Sequence, residues 1–167
     1  MNILQSLEAY TSAQKWVGIN FIILGSILVI LAGIFTFFVL KTPMSTGMKW
    51  GALVSGILIL VGGMSYYSFC NKTQLSSQAI YKRDVTEFLQ FEYERMEKVD
   101  KDFLLYQLTF TAFIVAALII ILFINMPLLK GVSYAVAILF LGILIIEGFS
   151  HTSITKYTSE LKKEVQC

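Results

Sequence analysis

Apolar and polar stretches alternate four times along the chain. Residues 16–40, 50–70 and 104–124 are predominantly apolar and carry no charged side chain. Residues 131–149 are nearly as long and hold one acid, Glu147. A bilayer core is crossed by about 20 apolar residues at 1.5 Å rise each, so each stretch predicts a membrane-spanning helix. The expected fold is all-α: a polytopic membrane protein of four spans and one membrane domain.

The connections pair these spans as two hairpins, with short turns at 41–49 and 126–130. The only two prolines, Pro43 and Pro127, fall in those turns, where a missing N–H does least harm. A polar, helix-compatible segment follows each hairpin: 72–102 after the first and 150–167 after the second. The sequence Gly56–Gly62 resembles Gly142–Gly148 at an offset of 86, and the prolines repeat at 84, a weak parallel repeat.

In the long segment Leu75, Ala79, Val85, Leu89, Met96, Val99 and Phe103 recur mostly at steps of three and four, a helical stripe. No Gly or Pro interrupts residues 74–103. The second span is therefore expected to continue as a helical stalk over 72–102, with the chain turning near Val99–Asp102. Its charges are mixed, whereas a helix lying on lipid carries a strongly basic face. The stripe calls for a protein cover. Ile154, Tyr157, Leu161 and Val165 of a C-terminal helix over 150–167 supply one. Val85, Leu89, Met96 and Leu161 are also the candidate residues for a partner or oligomer interface, since uncovered apolar stripes mark such sites.

Composition fits a membrane protein. The chain has 167 residues, 56% hydrophobic and only 14% charged, against about 25% charged in a soluble domain. A net charge of +2 is too small to indicate nucleic acid. Ten Lys and Arg residues lie on the side of the termini and the long segment. Three (Lys41, Lys49 and Lys130) lie on the side of the short turns. Basic residues favour the cytoplasmic side, which predicts cytoplasmic termini in a bacterial inner membrane or plasma membrane. The first span is too long for a cleavable signal peptide and reads as a retained anchor.

Candidate chemistry is sparse. Glu147 is the only charge within a span, and ionisable groups in hydrocarbon are costly and functional by default. It lies roughly 24 Å along its helix, near the cytoplasmic edge. His151 follows four residues later on the same face. The two are the candidate pore-mouth or ion-contacting pair. Cys70 and Cys167 lack the spacing of a redox pair, and a single histidine excludes bis-histidine haem. No nucleophile–base pair, metal cluster or phosphate loop stands out, so neither an enzyme nor a cofactor or metal is expected. Small residues at Ala52-x-x-x-Gly56 and Ala112-x-x-x-Ala116 mark close helix contacts.

Two functions fit this pattern. In the first, copies self-associate into a pore-forming or membrane-perturbing assembly, an outline shared with small four-span toxins and defence effectors of bacteria. In the second, the protein is a non-enzymatic adaptor or regulatory subunit that holds a protein partner through its cytoplasmic helices.

Overall fold

A computed structural model describes residues 3–39 and 41–165. Cys167 and the far end of the C-terminal segment lie outside them. The described residues form four helices: α1 (Ile3–Phe37), α2 (Pro43–Arg83), α3 (Val85–Phe123) and α4 (Pro127–Val165). All four are long and apolar enough to cross a membrane. At 1.5 Å per residue they reach roughly 50–60 Å, about twice the hydrocarbon thickness. Each helix therefore has an apolar half and a polar half.

The polar half departs from the expected single stalk. α2 stops at Arg83, and α3 starts at Val85 and runs unbroken into the third apolar stretch. The turn is at Asp84 and not near Val99–Asp102. Asp84 is extended (φ −154°, ψ 118°), and its carboxylate accepts from the Thr86 and Glu87 amides while its own N–H caps α2 at the Ile80 carbonyl. One side chain thus satisfies donors that a helix start leaves open. Glu87 takes a charged contact back to Arg83 across the turn. The C-terminal segment is likewise no separate helix but the continuation of α4. Residues 3–15, which the apolar pattern leaves out, extend α1 by more than three turns.

Backbone approach fixes the packing of the apolar half. α1 and α2 run in opposite senses and touch where side chains vanish. A Cβ on Gly25 would stand 2.8 Å from the Gly56 carbonyl, and one on Gly56 2.9 Å from the Gly25 carbonyl. Gly18 and Gly63 meet the facing helix in the same way. α2 and α4 run parallel and cross near their proline ends. There a methyl on Gly47 would overlap the Leu128 carbonyl, and one on Gly131 would overlap the Met44 carbonyl. This reciprocal contact has the offset of 84 that also separates the two prolines, so the two chain halves meet about a local near-two-fold. Small-residue approach of this kind is how helices associate without a hydrophobic driving force between them.

Three buried clusters stack along the bundle. Ala32, Ala52 and Ala135 pack at the proline end, and Val17, Phe21 and Ile143 pack in the middle. The largest cluster fills the polar half: Ile3, Leu7, Tyr10, Phe88, Met96, Phe103, Ile154, Tyr157 and Leu161. It draws on both terminal segments and on α3 beside the Asp84 tip, so these lie at one end of the molecule. α3 is the outlying helix in the apolar half, held to α4 by Phe110 and Phe113 against Phe140.

Candidate functional site

Two buried polar networks and a cavity occupy the junction between the halves. The first network is built on Glu92, which is fully buried. Its carboxylate accepts from Ser77 Oγ at 2.5 Å, from Arg95 Nη2 at 2.6 Å and from Tyr157 Oη at 3.3 Å. Arg95 Nε adds bonds at 3.2 Å to both oxygens. Helices α2, α3 and α4 are tied together by this one acid. A buried charge is tolerated only when paired and hydrogen-bonded, and Glu92 is both. Arg95 also lies over the Tyr10 ring at 5.6 Å, and Tyr10 stacks on Tyr157 at 4.9 Å. Burial pushes the Tyr10 and Tyr157 phenols above the usual tyrosine range. The Glu92 carboxylate adds to the effect at Tyr157, and Arg95 partly offsets it at Tyr10.

Gln14 of α1 centres the second network. Its carbonyl accepts from Tyr66 Oη at 2.6 Å and Ser150 Oγ at 3.1 Å, and its amide donates to Ser153 Oγ at 3.0 Å. This buried amide uses three of its four hydrogen-bonding sites to join α1, α2 and α4.

Members of both networks line a cavity of about 310 Å³. All four helices contribute: Tyr10, Thr11 and Gln14 from α1; Tyr66, Phe69, Cys70 and Thr73 from α2; Arg95, Val99, Asp102, Phe103 and Tyr106 from α3; Glu147, Ser150 and Ile154 from α4. Phe69 and Tyr106, both more than half exposed, stand on α2 and α3 where the apolar stretches end.

The residues singled out in the sequence are placed differently from one another. Glu147 is half-buried, lines the cavity, and takes no hydrogen bond or ion pair among the described residues. His151 does not reach the cavity. It stacks on Phe103 at 4.3 Å, and its Nε2 is 3.6 Å from Asp100 Oδ1. The pair shares a helix and meets two different surroundings within the chain. Met96 and Leu161 are fully buried in the polar-half core, Leu89 packs against that core, and Val85 is exposed at the tip. The stripe is thus covered from within the chain from Leu89 to Phe103, while Leu75, Ala79 and Val85 are exposed. Cys70 is a free, buried thiol on the cavity wall.

Sequence reasoning missed Gln14, Ser77 and Glu92. Glu92 read as one of many solvated acids. Only its position one turn before the buried Met96 marks it as inward-facing. Among the described residues no three His, Cys, Asp or Glu side chains converge on a metal-sized site. No protein-family model matches the chain, and neither a curated protein nor a solved structure matches it.

Proposed function

We propose that the protein is a non-enzymatic membrane protein that self-associates through α3 and forms or perturbs a permeation path between copies. Its termini and the Asp84 tip face the cytoplasm in this reading, in line with the distribution of Lys and Arg. The observation that carries it is the openness of α3. Only 6% of the most apolar stretch of α3 is buried, against 33% in α1, 22% in α2 and 28% in α4. The open face is not uniformly greasy. Gln107, Thr111, Ala112 and Ala116 lie along one groove of it. Thr111 donates to the Gln107 carbonyl of its own helix, but the Gln107 carboxamide is exposed and has no partner among the described residues. In hydrocarbon an unbonded amide costs several kcal/mol. Interhelical bonds between copies relieve that cost, and the two alanines let backbones approach. A path between copies also follows from the glycine contacts of α1, α2 and α4, which leave little space inside one chain.

Native mass spectrometry of the detergent-purified protein tests assembly, and conductance across planar bilayers tests the path. Several copies per particle are expected, with Gln107→Leu/Ala112→Phe shifting them to monomer and removing conductance. A monomeric wild-type protein overturns the proposal. Oligomers that conduct nothing leave the adaptor reading. That reading keeps one observation of its own: Leu75, Val85 and Phe91 remain exposed on the polar half, available to a protein partner.

A further inference from the structure

We propose that the cavity at the junction of the two halves binds an amphipathic organic cation, an ammonium head on an apolar body, entering from the bilayer between α2 and α3. The inference does not depend on self-association. It starts from a balance of charge. Three Arg, Asp or Glu side chains line the cavity: Arg95, Asp102 and Glu147. The Arg95 guanidinium is matched by the buried Glu92, which it grips through both Nε and Nη2. Asp102 and Glu147 take no hydrogen bond or ion pair among the described residues. The cavity wall therefore presents two carboxyl groups without a partner among the described residues, and its guanidinium is already held by Glu92.

The walls supply the rest. Tyr66, Phe69 and Tyr106 line the same space, with Tyr10 and Phe103, whose rings also stack on Tyr157 and His151, completing the wall. Aromatic faces attract a desolvated ammonium, and a cage of them beside a carboxylate is the chemistry by which quaternary ammonium groups are held. At about 310 Å³ the cavity is at the small end of ligand sites, enough for a compact head and the first part of a tail. The exposed Phe69 and Tyr106 flank the side facing the apolar segments. A tail leaves there into lipid without crossing a polar surface. An anionic amphiphile meets the same two carboxylates as repulsion. A hydrated metal ion gains nothing from the aromatic walls.

The test uses the full chain in maltoside micelles, which carry no charge. Radiolabelled octyltrimethylammonium is titrated against the protein, with octyl sulfate as the anion of equal tail. Saturable binding of the cation is expected, with no competition from the sulfate. Glu147→Gln/Asp102→Asn should weaken binding by about tenfold or more, as loss of a desolvated charge partner does. Glu97→Gln, which removes an exposed acid on the same helix paired with Lys101, should leave it unchanged. Thr73→Trp fills the cavity without altering charge and should abolish binding while monodispersity and melting temperature stay near wild type. No saturable binding above empty micelles overturns the proposal. So does equal binding of octyl sulfate, or unchanged affinity in both the charge-neutral and the filled variant.

Discussion

Glu92 and Arg95 are three residues apart on α3, yet they are not equivalent. The Glu92 side chain is fully buried while that of Arg95 is 21% exposed. Losing Arg95 leaves a carboxylate in the core with only hydroxyl donors, whereas losing Glu92 leaves a guanidinium that extends to water. Arg95→Leu should therefore destabilise by about 3–5 kcal/mol and Glu92→Leu by less. The double Leu variant should recover much of the loss, because no charge is then stranded. Thermal melts in detergent decide this, and a double variant no better than Arg95→Leu refutes it. The tyrosines around the pair set a pH limit. Both phenols have raised pKa in the folded protein, so below about pH 10, the unfolded value, they are neutral in either state. As pH climbs past that value the unfolded chain releases protons that the folded chain keeps, and stability falls. Melting temperature should drop above about pH 10, and less steeply in Tyr157→Phe. An identical slope in that variant rules out Tyr157 as a contributor. None of this was readable from sequence, because one acid among many solvated acids carries no mark of burial.

The element scale divides into what periodicity can and cannot reveal. Four apolar stretches were plain because their length and lack of charge are set by hydrocarbon, a solvent that tolerates little else. The tip was not, since the search for a break looked for Gly and Pro. Asp84-Val-Thr-Glu87 is a helix-start signature in its own right, an acceptor side chain followed three residues later by Glu. Its weight was hidden by the apolar stripe running through it. Asp84→Ala should cost about 1 kcal/mol by loss of the cap, read as a lower melting temperature; no change shows that the turn is held by packing alone. The N-terminal turns of α1 show the reverse: Ile3, Leu7, Tyr10 and Gln14 already stood at helical spacing, but too few in number to outweigh the span beside them. Glycines offer a sharper test. Gly47→Ala and Gly131→Ala force backbone carbonyls apart and should each destabilise strongly. At Gly33, Gly62 and Gly148 a Cβ meets nothing within 4 Å. Alanine there should be neutral or stabilising, by up to about 1 kcal/mol. Equal effects in the two groups contradict the α2–α4 crossing.

On the scale of the whole molecule, both terminal segments share a core with α3 near the tip, so they lie together at one end of the bundle, the end proposed to face the cytoplasm. Which side is a matter of charge, and it is testable. In a background with Cys70 and Cys167 changed to Ser, Lys82→Cys should resist an impermeant thiol reagent added outside cells, and Lys41→Cys should react. The opposite pattern inverts the topology. The bundle's asymmetry was invisible in the sequence, where all four spans look alike. It arises because α1, α2 and α4 carry glycines or alanines where they cross, while α3 meets α4 through phenylalanines. One feature of this design acts at a distance. α2 and α3 are each unbroken from the apolar stretches to the tip, and a single non-helical residue, Asp84, joins them. They have the shape of the two arms of tweezers, with the pivot at the polar end of the bundle. Parting the arms at Phe69 and Tyr106 loads the ties between there and the pivot, first the Ser77–Glu92 hydrogen bond and then Tyr81 and Phe88, which touch edge to face. A load that spreads α2 from α3 at the cavity therefore reaches the Glu92 network before it reaches the tip.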